Sequence, residues 1–163
     1  MLQITQLNKG HNRQQFNCGD EAINRYLKQQ ANQSAKKNYS QTHVLTEESD
    51  PSTIFGFYTL TSCFLHGELQ NLMNLKSPHE LCGVKLARMG MDVNFQKKGY
   101  SQYLIYDAIK KTCQVNQSMG IQGLFLDAKT DDLVNYYQHC GFMLIPDTQR
   151  VMWLPIGVAK QLF

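Results

Sequence analysis

Apolar and polar positions change period several times along this chain, and each change marks an element. In "NCGDEAINRYLKQQANQSAKK" the residues Ile23, Leu27 and Ala31 recur at helical spacing, with Tyr26 beside them and Asp20 in the place of an N-cap. "THVLTEESDPSTIFGFYTLTS" holds two strand-like runs around a turn at "ESDPS". "GELQNLMNL" predicts a short helix and "GVKLARMGMDV" a strand. From Ser101 to about Val115, Leu104, Ile105, Ala108 and Ile109 form one apolar stripe, as in a helix packed on one face. "IQGLFLDAK" predicts a buried strand. "DDLVNYYQHC" predicts a short helix capped by Asp131 or Asp132 and ended by Gly141. "FMLIP" and "RVMWLPI" predict a final strand pair. The order of helix, strands, strand–helix–strand–helix, strands is that of a mixed α/β fold. A length of 163 residues predicts one domain, 1–163.

Charge changes this picture through its distribution. The net charge is only +3, yet Lys9, Arg13, Arg25, Lys28, Lys36 and Lys37 meet only Asp20 and Glu21 between Met1 and Thr46. Lys85, Arg88, Lys97, Lys98, Lys110 and Lys111 meet only Asp92 and Asp107 between Lys85 and Lys111. Two basic segments in an otherwise acidic chain suit one surface for an anionic ligand, or else two solvated helices. Cys18, Cys63, Cys82, Cys113 and Cys140 form no CxxC pair, and the histidines lack zinc-ligand spacing, so reduced thiols and no metal are expected. "MLQITQLNKG" lacks the basic region and long apolar stretch of a signal peptide, and no apolar run reaches membrane-spanning length.

The most informative stretch is "MGMDVNFQKKGYSQYLIYDAIKK", where a strand feeds a glycine turn that feeds a helix. A helix start offers unpaired amides and the positive end of a dipole. Gly99 permits positive φ and close approach, Lys97 and Lys98 add charge, and Ser101 is small and adds a hydroxyl. These are the parts of a phosphate or pyrophosphate cradle, although one glycine beside two lysines also suits a plain surface turn. Neither GxxxxGK[ST] nor GxGxxG occurs, which argues against a P-loop NTPase and a Rossmann dinucleotide site. Gly90, inside the preceding strand, marks either a bulge near a ligand or simple packing against a neighbour.

On these residues the chain resembles the GNAT superfamily of acetyl-CoA-dependent N-acetyltransferases. The family's pyrophosphate turn, (Gln/Arg)-x-x-Gly-x-(Gly/Ala), corresponds to Gln96, Lys97, Lys98, Gly99, Tyr100 and Ser101, with serine replacing the last small residue. Its late aromatic motif corresponds to Tyr136, Tyr137, Gly141 and Phe142. Phe16, Cys18, Gly19, Asn24, Tyr26, Leu27 and Ala31, with "GFYTLTS", Arg88 to Asp92 and "RVMWLPI", are similar to the branch of TacT/AtaT-like toxins. The resemblance implies a mixed, mostly antiparallel central sheet flanked by helices, with splayed central strands holding acetyl-CoA. It implies a cytoplasmic bacterial enzyme that acetylates the α-amino group of aminoacyl-tRNA. It also implies a ribbon–helix–helix antitoxin, operator DNA reached only through that antitoxin, and a homodimer. An alternative is a GNAT enzyme for a small amine or a protein amino group, and a third class is a non-catalytic binding partner.

The resemblance assigns the cofactor site to Met89, Gly90, Met91, Gln96, Lys97, Lys98, Gly99, Tyr100, Ser101 and Asn135. Tyr137 occupies the position of the proton donor to the leaving thiolate, and Tyr136, pointing about 100° away on the same helix, is assigned to the core. Arg25, Lys28, Lys36, Lys37, Lys85 and Arg88 are the candidates for tRNA, Arg88 first because it lies nearest in sequence to the presumed acyl site. Cys140 and His139 are adjacent on a helix and do not face each other, so no thiol nucleophile is assigned. Cys18 and Trp153 are read as packing residues.

Overall fold

Alternation and helical stripes become elements in the expected order, with two additions at the ends. The computed structural model describes all residues, Met1 to Phe163. The strands are β1 (Leu2–Gln6), β2 (Gln41–Glu47), β3 (Gly56–Leu65), β4 (Leu81–Met91), β5 (Gly123–Asp127), β6 (Met143–Leu144) and β7 (Val151–Pro155). The helices are α1 (Glu21–Arg25), α2 (Ala31–Lys36), α3 (Gly67–Leu72), α4 (Ser101–Asn116), α5 (Asp131–His139) and α6 (Ile156–Lys160). A π-helical turn, Tyr26–Gln30, joins α1 to α2, and a 3-10 turn, Val93–Phe95, follows β4. The sheet order is β1-β2-β3-β4-β5-β7-β6. The β1/β2, β2/β3, β5/β7 and β6/β7 pairs are antiparallel, and β4/β5 is parallel.

The chain divides into two compact units. The first holds Met1–Thr61 and Ala87–Ala108, the second Ser62–Leu86 and Ile109–Phe163. In the first, Asp20 caps α1 as expected, its Oδ1 accepting from the amides of Ala22 at 3.0 Å and Ile23 at 3.3 Å. The buried Ile23, Tyr26, Leu27 and Ala31 pack with Phe16, Val44, Ile54 and Phe57. The Tyr58 hydroxyl donates to Asp107 at 2.6 Å, tying α4 to β3. In the second unit Leu65, Phe125 and Ile145 form the core, with Leu69 and Leu72 of α3 and Trp153 of β7 packed against it. Trp153 stacks on Phe125 at 5.6 Å, in keeping with its reading as a packing residue.

Three local expectations need correction. The cap of α5 is Thr130, whose Oγ1 accepts from the Leu133 amide at 3.2 Å; neither Asp131 nor Asp132 takes that place. Asp131 instead faces the Arg150 guanidinium at 2.9 Å. Strand β1 was not predicted because its five residues pair at the sheet edge and show no alternation in burial, the first four being half-buried and Gln6 exposed. Helix α6 was hidden because "IGVAK" is five residues long, follows Pro155 and contains Gly157.

The parallel pairing of β4 with β5 is short. Strands β4 and β5 meet only at Val84↔Leu124 and Lys85↔Phe125. Beyond that point β4 runs on to Met91 and β5 to Asp127.

Candidate functional site

The turn between β4 and α4 is fixed by side chains on either side of it. Asp92, only 5% exposed, accepts from the Asn17 amide at 3.0 Å and from the Asn94 amide at 2.9 Å. The Gln96 side-chain amide donates to the carbonyls of Met91 at 2.9 Å and Cys18 at 3.0 Å. It acts as a tie that sets the exit of β4, rather than as a free hand for a ligand. Phe55 stacks on Phe95 at 3.7 Å and 12°, and Lys98 sits 5.7 Å from the centre of the same Phe95 ring.

Within this frame the backbone takes the conformation that the glycine allows. Lys97 has φ 62° and Gly99 φ 77°. Left-handed residues in close succession are the kind of backbone from which anion-binding nests are made. A Cβ on Gly99 would meet nothing within 4 Å, so the demand for glycine there is conformational and not steric. Outside α4, the amides of Gly99 and Tyr100 donate to no group of the protein. Both lysines and Gly99 are exposed, and Ser101 opens the helix. This arrangement suits a phosphorylated group at the head of α4.

Gly90 has the more ordinary of its two explanations. A Cβ there would lie 3.1 Å from Cγ2 of Ile23 and 3.3 Å from Cβ and Sγ of Cys18. Gly90 thus lets the first helical segment and the loop before it approach β4, and Cys18 is a packing residue. Met89 and Met91 flank it, half-buried.

Arg88 is exposed, and its guanidinium lies 4.9 Å over the ring of Tyr26. The Tyr26 hydroxyl is in turn 3.0 Å from that of Ser40. Tyr26 opens the π-helical turn, so the irregular helix presents the aromatic face that Arg88 covers. Arg25, Lys36 and Lys37 are exposed and Lys28 is half-buried, all in the same unit as Arg88. Lys85 does not join this group. It belongs to the second unit, where its ammonium lies 2.8 Å from the Asp127 carboxylate.

In the second unit α5 carries Asn135, Tyr136 and Tyr137. The expected division of the two tyrosines is reversed, since Tyr137 is buried and Tyr136 half-buried. The helix turns Tyr137 toward Phe142, ring centres 5.7 Å apart and edge-on, and Phe142 is itself 3% exposed. Burial, reinforced by the neighbouring Tyr136 and Cys140, pushes the Tyr137 hydroxyl well above the ordinary tyrosine range. Burial likewise raises the Cys140 thiol, against a hydrogen bond from Tyr136. His139 turns back along the helix, its Nδ1 at 2.7 Å from the Asn135 carbonyl, and the Asn135 side chain is exposed. The ties made by Asp92 and Gln96 and the Lys85–Asp127 pair could not be read from the sequence. Each joins residues that only the folded chain brings together.

No family model matches the chain. It is 26% identical over 162 residues to a probable toxin TacT of Sinorhizobium fredii (strain NBRC 101917 / NGR234), covering 93% of this chain and 89% of the relative. It is 24% identical over 148 residues to a tRNA-acetylating toxin of Mycobacterium tuberculosis (strain ATCC 25618 / H37Rv), covering 90% and 87%. Among solved structures, AtaT complexed with acetyl-methionyl-tRNAfMet superposes with a TM-score of 0.86 at 21% identity, over 100% of this chain and 99% of that one. A tyrosine-to-phenylalanine variant of AtaT, bound to the C-terminus of the antitoxin AtaR and to acetyl-CoA, gives 0.83 at 22% over 99% and 98%. A KacTA–DNA complex gives 0.84 at 22% over 100% and 98%. The chain is therefore similar, along nearly all of its sequence, to TacT-type toxins, and its fold is the GNAT fold of the AtaT and KacT toxins.

Proposed function

We propose that this chain is an acetyl-CoA-dependent N-acetyltransferase that modifies the free α-amino group of aminoacyl-tRNA and thereby blocks translation. The observation that carries the reading is the turn Gln96–Ser101, in which two left-handed residues and two exposed lysines lead directly into a helix start. Those donors and charges suit the pyrophosphate of acetyl-CoA, which supplies the acetyl group as an activated thioester. Lys97, Lys98, the amides of Gly99 and Tyr100, and Ser101 would hold the diphosphate. The backbone amides near Met89 to Met91 are assigned to the acetyl carbonyl, which they would polarise, and Asn135 to the pantetheine arm.

Tyr137 is the assigned proton donor. A buried phenol held above its usual range stays protonated throughout neutral pH. A thiolate with a reference pKa of about 8.5 can accept a proton from it at a cost set by the mismatch between the two. The acceptor needs no strong base. An α-amino group titrates near pH 8, and the ester beside it lowers that value, so a usable neutral fraction exists at neutral pH.

The exposed basic side chains Arg25, Lys36, Lys37 and Arg88 are assigned to the tRNA backbone, with Lys28 beside them. Their contribution is salt-sensitive. By the same reading the chain works in the cytoplasm as a homodimer. A ribbon–helix–helix antitoxin neutralises it, and operator DNA is reached only through that antitoxin. No helix of the chain is long and apolar enough to cross a membrane.

The test is transfer of labelled acetyl from acetyl-CoA to a total aminoacyl-tRNA pool, with deacylated tRNA alongside. Label on charged tRNA alone is the expected result. Absence of label from every tRNA, with acetyl-CoA still bound, overturns the substrate class and moves the search to small amines and protein amino groups.

A further inference from the structure

Helix α2 ends in a way that leaves one aromatic ring bare. The Tyr39 amide donates to the Ser34 carbonyl at 2.8 Å and the Asn38 amide to the Ala35 carbonyl at 3.1 Å, with Asn38 left-handed at φ 60°. These are the two bonds of a Schellman motif, in which an apolar residue in the place of Tyr39 commonly packs back on the last turns of the helix. Here that seat is polar, Gln33 and Ser34, and Tyr39 stands 66% exposed. Its backbone is pinned all the same, since the Tyr39 carbonyl also accepts from the Thr61 hydroxyl at 2.7 Å. An exposed ring on a fixed backbone is pre-organised to be covered by a partner.

We propose that Tyr39 is a stacking platform for an unpaired RNA base, an inference that rests on the aminoacyl-tRNA reading above. The Lys37 ammonium lies 5.9 Å from the ring centre, where it can meet the phosphate beside a stacked base. Lys36 and Arg25 are exposed on the same segment, and no carboxylate occurs between Glu21 and Glu47. The next residue, Ser40, has its hydroxyl 3.0 Å from that of Tyr26, the ring that Arg88 covers at 4.9 Å. Tyr39 is thus joined, within the first unit, to the basic side chains assigned to the tRNA backbone. Aromatic faces interleaved with cations and free of carboxylates suit a polyanion that carries π-faces of its own, and suit an apolar protein surface poorly. In a duplex the base faces already cover one another. Tyr39 therefore favours unpaired segments, which a tRNA offers at its acceptor end and in its loops.

The experiment reads binding and does not depend on acetylation. Fluorescence anisotropy at low salt follows a short labelled oligoadenylate and a blunt RNA duplex of the same length. Tyr39→Ala should weaken the single strand about tenfold, within the range of one base–aromatic stack, and leave the duplex within about twofold. Tyr39→Phe keeps the ring and should keep the affinity. Lys37→Ala should lower the salt slope by about one contact, whereas Tyr39→Ala should leave the slope unchanged. Trp153 is the chain's only tryptophan, so Tyr39→Trp adds a single emitter. Saturating oligoadenylate should quench that variant and not the parent. Equal losses on both RNAs, an unquenched Tyr39→Trp, or a single strand indifferent to Tyr39→Ala overturn the proposal, and the last result would give the ring to a protein partner. If charged tRNA takes no acetyl label while oligoadenylate binding still depends on Tyr39, the substrate class fails and the platform stands.

Discussion

The turn at Gln96–Ser101 and the helix α5 are both assigned to the same reaction, yet they are built on opposite principles. The turn is exposed, Lys97 and Gly99 hold positive φ, and the binding role proposed for it falls to its backbone amides. Helix α5 is regular, and its key group is a side chain whose chemistry is set by burial beside Phe142. The difference teaches that the two sites fail in different ways. The turn is sensitive to changes of backbone freedom and to loss of the ties made by Asp92 and Gln96. The tyrosine is sensitive to the loss of one oxygen and to the polarity of what covers it.

The largest effect is expected at α5. Tyr137→Phe should lower turnover by about 10² to 10⁴-fold, the usual range for a positioned acid, while acetyl-CoA affinity stays within error. Isothermal titration beside the acetylation assay separates the two. A parallel loss of cofactor affinity would reassign Tyr137 to packing. The pH dependence has a definite sign. The folded pKa of Tyr137 is raised, so the protonated ring favours the folded state below the unfolded value of about 10, and that advantage is lost as pH rises beyond it. Urea denaturation at rising alkaline pH should show a shallower decline for Tyr137→Phe than for the parent.

The turn is broken by backbone restriction instead. Gly99→Val places a β-branched residue at φ 77° and should weaken acetyl-CoA binding about tenfold or more, since left-handed geometry costs an ordinary residue roughly 1–2 kcal/mol. Lys97→Gly tests the same conformation with the opposite sign. It relieves the strained φ and should leave thermal stability equal or higher, while removing one charge from the cradle. If Lys97→Gly lowered affinity while Gly99→Val left it unchanged, charge and not backbone shape would govern the site.

The same contrast decides what was legible in the sequence. The turn was legible because its signals are local: a glycine, two lysines and the start of an apolar stripe lie within a few residues. Helix α4, the cap at Asp20 and the two strands around "ESDPS" were readable for the same reason. Tyr137 was found through its motif, but its burial relative to Tyr136 was not, because helical spacing separates the two rings without saying which one meets Phe142. Lys85 looked like a member of a basic segment, and only the parallel β4–β5 register places Asp127 against it.

A smaller effect tests the basic surface of the first unit. Arg88→Ala removes the guanidinium over Tyr26 and should cost about 0.5–2 kcal/mol in a urea titration, the range of a cation–π contact from exposed to desolvated. The same variant should reduce the salt dependence of tRNA binding by about one phosphate contact. A stability loss with an unchanged salt slope would leave Arg88 a packing residue only.

The smallest effect separates two neighbours at the head of α5. Thr130→Ala removes the oxygen that accepts the Leu133 amide and should destabilise by about 1 kcal/mol. Asp131→Asn loosens the pair with Arg150, but Asp131 is 88% exposed, so solvent screens the charge and the cost should be at most a few tenths of a kcal/mol. Asp131 also lies in the first turn of α5, where its charge favours the dipole, and that contribution is of similar small size. Chemical denaturation of both variants at low and high salt resolves the order. If Asp131→Asn proved the costlier change and its cost vanished in high salt, the helix would be held by charge at its first turn. The hydroxyl cap would then be secondary, and the link from cap geometry to the placement of Tyr137 two turns later would weaken with it.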